Sequence, residues 1–145
     1  MSSRVTKVVF QRITATAIMP KRATKHSAGF DLCCDEGFTL YKWQHKLITT
    51  GIAIAIPVGL EGQIRARSGL AAQRILIPNS PGTIDADYRG EIKVLLLNVG
   101  ADKFFIAGDR IAQLVITRVP EVSFVEGVVK NDTERGSGGF GSTGR

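Results

Sequence analysis

The chain lacks any apolar run near the ~20 residues that a membrane-crossing helix needs, and its start has no continuous apolar segment of the signal-peptide kind. No membrane partner and no secretory leader are therefore expected. Cysteine is scarce: Cys33 and Cys34 are adjacent and cannot build a disulfide framework, which fits an intracellular, reducing compartment such as cytoplasm or nucleus. Histidine is equally scarce. His26 and His45 with two neighbouring thiols make no zinc spacing, so small buried thiols are expected instead of a metal centre. Acids are missing from residues 1–25, which carry Arg4, Lys7, Arg12, Lys21, Arg22 and Lys25. Such a stretch can serve nucleic acid or organelle targeting, but Val8–Ile13 already reads as a strand, so a solvated basic face is expected and a nucleic-acid partner is not. Repeats of 20–50 residues are absent too.

What remains is ordinary for one soluble domain: 145 residues, 43% hydrophobic, 22% charged, net charge +6. Short apolar runs alternate with Gly, Pro and Asn breaks. Ile52, Ile54 and Ile56 share one face of Ile48–Pro57; Gln63–Arg67 alternates again; Arg74–Pro78 is brief; Glu91–Asn98 places Ile92, Val94 and Leu96 on one side and is expected to be buried on both faces at its far end. Phe104–Ala107 and Ile111–Val119 follow. Period-2 patterning with frequent breaks predicts an all-β sandwich or barrel. One short helix is predicted over Ser68–Gln73, with Ser68 as its cap. The domain is expected to span 1–130. The composition changes at Asn131, and the last ten residues hold five glycines, two serines and a threonine, so 131–145 is expected to be a flexible arm without a core of its own.

Five stretches carry possible chemistry. Gly82-Thr-Ile-Asp85-Ala-Asp87-Tyr88-Arg-Gly90-Glu91 holds two carboxylates that would share a face in an extended chain, with Tyr88 opposite and glycines bracketing the unit as turn residues. A carboxylate aimed at a water beside a rigid aromatic suits hydrolysis; the same residues also suit a plain hairpin tip. Arg65–Leu70 puts Arg67 and Ser68 where a strand gives way to a helix, whose N-terminus attracts anions. Ala28–Leu32 sets Asp31 among apolar neighbours. Gly108–Leu114 sets Gln113 in an apolar strand, where a polar group needs a specific partner. The arm reads Gly136-x-Gly138-x-x-Gly141 without the surrounding strand–helix unit of a dinucleotide site. Its Arg135, hydroxyls and unhindered backbone N–H groups can still wrap phosphates, and the lone Phe140 can stack on a base.

In this order the five stretches resemble the five motifs of the homotrimeric dUTPases, over Ala28 to Gly144. The resemblance implies a jelly-roll-like β-barrel assembled as a trimer, with the first, second and fourth motifs of one subunit, the third of another and the arm of the remaining one forming each site. It implies Mg²⁺-assisted hydrolysis of dUTP to dUMP and pyrophosphate, supplying dUMP for dTMP synthesis and keeping uracil out of DNA. By the same resemblance Asp85 is the base that activates water, and Tyr88 excludes a 2′-hydroxyl. Asn79 and the hairpin to Asp85 read uracil. Arg67, Ser68, Gly69 and Gln113 hold phosphates, while Asp31 orders water on the magnesium. Phe140 covers the base, and Arg135, Gly141, Ser142 and Thr143 close on the phosphates. Ala66 stands where proline is common, Gln73 where lysine is common, and Phe30 where tyrosine is usual. Two other readings keep the fold: a non-catalytic nucleotide or nucleic-acid module, and a dCTP deaminase, which would need a glutamate in the strand after the third motif; Ile92–Asn98 has no carboxylate.

Overall fold

The computed structural model describes residues 4–145. Its strands are β1 (Val9–Arg12), β2 (Phe30–Cys33), β3 (Phe38–Leu40), β4 (His45–Ala55), β5 (Leu60–Arg65), β6 (Ile75–Leu76), β7 (Gly82–Ile84), β8 (Glu91–Asn98), β9 (Lys103–Phe105) and β10 (Arg110–Arg118), with one helix, α1 (Ser68–Ala72). Two four-stranded sheets have the orders β1-β4-β8-β6 and β2-β10-β5-β7; β3 and β9 form a small third sheet. Every strand pair is antiparallel.

Alternation explains the layering. Ile52, Ile54 and Ile56 are buried as their spacing predicts, and so are Ile92, Val94 and Leu96 of the neighbouring strand β8. Leu32, Ile64, Ile84 and Leu114 of the second sheet join the same core, and Phe38 stacks on Phe105 with centroids 4.5 Å apart. At the far end of β8, Leu95 and Leu97 are only half-buried, so that strand is not sealed on both faces. Cys34 lies in the core and donates its thiol to the Ile106 carbonyl at 3.1 Å; burial pushes both thiols up, helped at Cys33 by the Asp31 carboxylate.

Two backbone irregularities shape the site. The β4–β8 register slips between Thr49 and Ala53, and Gly51 stands in that slip at φ +72°. A Cβ there would lie 2.5 Å from the Thr14 hydroxyl and 2.9 Å from the Asp35 carboxyl carbon, so only glycine fits. Asp35 in turn accepts hydrogen bonds from Thr14 and Thr16 at 2.9 and 2.8 Å, and the Gly51 carbonyl accepts the Ile13 N–H, which fastens the N-terminal loop to the slip.

The helix is one turn long and ends at Ala72, with Gln73 as C-cap. Its N-cap is Arg67, not Ser68, and no side chain caps it. Ser68 adopts the first helical position because the extended backbone break falls at Arg67, where β5 has just ended. Regular structure ends at Arg118. The chain beyond it is exposed, including Val122, Phe124, Val125, Val128 and Val129, so the unpacked segment starts before the composition change at Asn131.

Asn98 is fully buried. Its amide donates to the Leu40 and Ala101 carbonyls at 2.8 Å each and its Oδ1 accepts the Gly100 N–H at 2.8 Å. Replacing it with alanine orphans the buried Leu40 carbonyl and Gly100 N–H, removes the bond to the exposed Ala101, and should cost about 2–4 kcal/mol. Chemical denaturation of Asn98→Ala against the parent chain measures this.

Candidate active site

Two groups of side chains stand apart in the single chain. The first lines a cavity of about 390 Å³ where β7 leads into β8. Asn79, Gly82, Asp85, Tyr88 and Glu91 contribute to its wall, with Leu47, Ile64 and Ile92 supplying apolar surface. Asp85 is exposed at this cavity, and among the described residues it enters neither of the two ion pairs. An unneutralised carboxylate next to apolar walls is free to accept a proton from a bound water.

The local geometry differs from an extended strand. β7 ends at Ile84, and the Tyr88 N–H donates to the Asp85 carbonyl at 3.1 Å, closing a turn over Ala86 and Asp87. Asp85 and Asp87 therefore do not share a strand face, and Tyr88 lines the same cavity as Asp85 instead of pointing away. Asp at a turn start favours this closure over continued alternation. Gly82 is likewise no turn residue: it is a buried strand residue paired with Ile64, and a Cβ there would crowd the Ile64 Cβ at 3.2 Å and the Asn79 amide at 3.3 Å. The Tyr88 hydroxyl donates to the Glu91 carbonyl at 2.8 Å.

The second group gathers on β2, β10 and the start of α1. Asp31 lies 3.6 Å from Arg67 Nε and 3.8 Å from Arg110 Nη1, and Arg67 also donates to the Arg110 carbonyl at 3.1 Å. Gln113 pairs in register with Asp31 on one side and Arg65 on the other. Its amide nitrogen donates to the Ala66 carbonyl at 2.9 Å, and its side chain fills the space where Gly29 lacks a Cβ. The half-buried polar group in the apolar strand has thus found its partner: it braces the segment leading to Arg67. Ser68 and Gly69 are exposed on the uncapped first turn, with open space over Gly69.

The arm forms a third group. Arg135 Nε donates to the Gly138 carbonyl at 3.1 Å, Phe140 is fully exposed at φ 52°, and Ser142 and Gly144 close local turns onto Gly139 and Gly141. Thr143 is exposed. No residue of the second or third group lines the cavity.

Local reading of the sequence missed Leu47, Ile64, Lys93 and the carboxylate of Glu91 as cavity residues. Glu91 opens β8, one position before the stretch searched for a carboxylate, and its Oε2 accepts the Gly51 N–H at 3.0 Å. Arg110 as a partner of Asp31 was also missed.

A carboxylate and a tyrosine at an apolar-walled cavity, with a cationic cluster elsewhere on the same β-fold, suit an anionic ligand with a flat, partly apolar part. The dUTPase family model matches residues 15–144, and the chain belongs to that family. It is 55% identical over 130 residues to the deoxyuridine 5′-triphosphate nucleotidohydrolase of Rickettsia bellii (strain OSU 85-389), covering 87% of each chain. It is 47% identical over 141 residues to that of Wolinella succinogenes, covering 96% of this chain and 95% of the relative. Among solved structures, it resembles the Staphylococcus bacteriophage 80alpha dUTPase with dUPNHPP: TM-score 0.87, 28% identity, 97% of this chain and 100% of that one. It also resembles a point mutant of the dUTPase from the S. aureus phage phi11, described with a structural Mg(II) ion: TM-score 0.76, 26% identity, 84% and 98% coverage.

Gly29→Ala forces Gln113 off the Ala66 carbonyl and should destabilise the domain by about 1–3 kcal/mol, as overpacking does. In the double variant Gly29→Ala/Gln113→Ala the clash with the amide is gone and only the Cβ contact at 3.0 Å remains, so the two costs should fall short of additivity in a denaturation cycle.

Proposed function

We propose that the chain hydrolyses dUTP to dUMP and pyrophosphate, acting as a dUTP diphosphatase. The observation that carries the reading is Asp85 and Tyr88 on one cavity wall, in a chain that matches the dUTPase family over residues 15–144. Asp85 accepts a proton from water and directs it at the α-phosphorus. Tyr88 lies against the deoxyribose, where its ring leaves no room for a 2′-hydroxyl. Asn79 and the backbone leading to Asp85 hydrogen-bond the uracil edge, and the same hairpin excludes a 5-methyl group.

Arg67, Ser68, Gly69 and Gln113 belong to the phosphate end. Arg67 supplies charge, Ser68 and Gly69 offer unpaired N–H groups, and Gln113 holds that segment in place. Phosphoryl transfer asks mainly for positioning and charge neutralisation, which these residues provide.

Magnesium suits this donor set. Among the described residues no three His, Cys, Asp or Glu side chains form a cage, and Mg²⁺ commonly keeps its waters while riding on substrate phosphates. Asp31 lies beyond hydrogen-bond distance of both its arginines, so its oxygens retain capacity to hold such a water. Bound with the triphosphate, the ion would neutralise charge on the leaving pyrophosphate. The product dUMP is the form a thymidylate-forming methylation would take up, and removal of dUTP keeps uracil out of DNA.

The active unit in this reading is a homotrimer. The separation of cavity and cationic cluster within one chain supports sites completed between subunits, as do the exposed valines and Phe124 beyond Arg118. The arm from Asn131 would close over a neighbour's site, with Phe140 on the base and Arg135, Gly141, Ser142 and Thr143 on the phosphates.

With Mg²⁺ present, pyrophosphate release should be selective for dUTP over UTP, dTTP and dCTP. Asp85→Asn should keep nucleotide binding while kcat falls by about 10²–10⁴, the usual contribution of a general base. Absence of release from any nucleotide, with dUTP still bound, would favour a binding module.

Removing Arg135–Arg145 should leave the trimer intact in light scattering while dUTP turnover collapses. Full turnover by the truncated chain would refute the arm's role.

A further inference from the structure

We infer that Glu91 is a positioning residue that sets how far Tyr88 reaches over the sugar, and so how strictly ribonucleotides are refused. The inference rests on the sugar-facing role of Tyr88 given above.

Three contacts carry it. The Tyr88 hydroxyl donates to the backbone carbonyl of Glu91 at 2.8 Å, so the ring is tethered at its far end to the first residue of β8. The Glu91 carboxylate accepts the Gly51 N–H at 3.0 Å, across forty positions of chain. Gly51 itself cannot shift without disturbing Thr14, Ala17 and Asp35, which its missing Cβ would strike. The tyrosine is therefore referenced to a locked glycine in β4, not only to its own exposed turn. Gly90 completes the arrangement: a Cβ there would stand 2.5 Å from the Tyr88 hydroxyl and 2.7 Å from its Cζ, so the ring lies folded back over Gly90. Tyr88 is itself 44% exposed. A half-exposed ring owes its position to such tethers, because packing alone does not fix it.

The carboxylate is used here only as an acceptor. Glu91→Gln keeps an acceptor oxygen for the Gly51 N–H, whereas Glu91→Ala leaves that N–H without its side-chain partner. Tyr88→Phe cuts the tether from the other side with the ring retained.

The test compares kcat/KM for dUTP and UTP in the parent chain, Glu91→Ala, Glu91→Gln and Tyr88→Phe, with circular dichroism melts confirming folded protein. Glu91→Ala and Tyr88→Phe should each raise the UTP-to-dUTP ratio by about five- to tenfold, the range one lost hydrogen bond converts to. Glu91→Gln should restore the parent ratio to within about twofold, since the amide oxygen takes the place of the carboxylate oxygen as acceptor. If the parent discriminates but Glu91→Ala and Tyr88→Phe leave the ratio unchanged, the positioning role is overturned. Equal impairment by Gln and Ala would also overturn it, because a charge and not the tether would then matter. A parent chain that does not discriminate at all would instead refute the sugar-facing role of Tyr88.

Discussion

The side-chain amide of Gln113 is the contact on which the arrangement of charged groups depends. It sits on β10, the strand that pairs with both β2 and β5, in register with Asp31 and Arg65. One hydrogen bond to the Ala66 carbonyl fixes the segment that leads into Arg67, and the glycine at position 29 leaves the amide room. Remove the amide and the segment leading into Arg67 loses its side-chain brace, leaving Arg67 only its own contacts to Asp31 and the Arg110 carbonyl. A half-buried polar group in an apolar strand is costly unless satisfied, and here satisfying it also braces the cationic cluster.

The other half of the site depends on β4. Its register slip at Gly51 anchors the N-terminal loop through Thr14, Thr16 and Asp35, and receives Glu91 from β8. Leu47 and Lys93, which stand on β4 and β8, form part of the same cavity wall as Asp85 and Tyr88. The cavity is thus built by long-range strand pairing, and the short β7–β8 turn presents the Asp85 carboxylate to it. Rigid sheets hold the reference points while the exposed turn and arm carry the groups proposed to meet a ligand, the usual division of labour between scaffold and loop.

Much of this was legible in the residues. Alternation of Ile52, Ile54 and Ile56 and of Ile92, Val94 and Leu96 pointed to the strands and their buried faces, and the breaks between apolar runs marked an all-β fold. Asp85 and Tyr88 could be singled out because their stretch is short and chemically dense, whereas Asn79 entered only through the family resemblance. The turn geometry was misjudged: alternation was extended past Ile84, where the Asp-initiated turn wins. Ser68 was taken as a cap because its residue type suits one, but the backbone break falls one residue earlier. The Glu91–Gly51 and Gln113–Ala66 bonds were out of reach, since they span 40 and 47 positions of chain and no local pattern encodes such a pairing. Equally, nothing local distinguishes Leu47 or Lys93 from other strand residues.

The central claim is that water directed by Asp85 attacks the α-phosphorus. A single turnover of dUTP in H₂¹⁸O, read by mass spectrometry, addresses it most directly. The account predicts one ¹⁸O atom in dUMP and none in pyrophosphate. Label appearing in pyrophosphate would place the attack on the β-phosphorus and contradict the account.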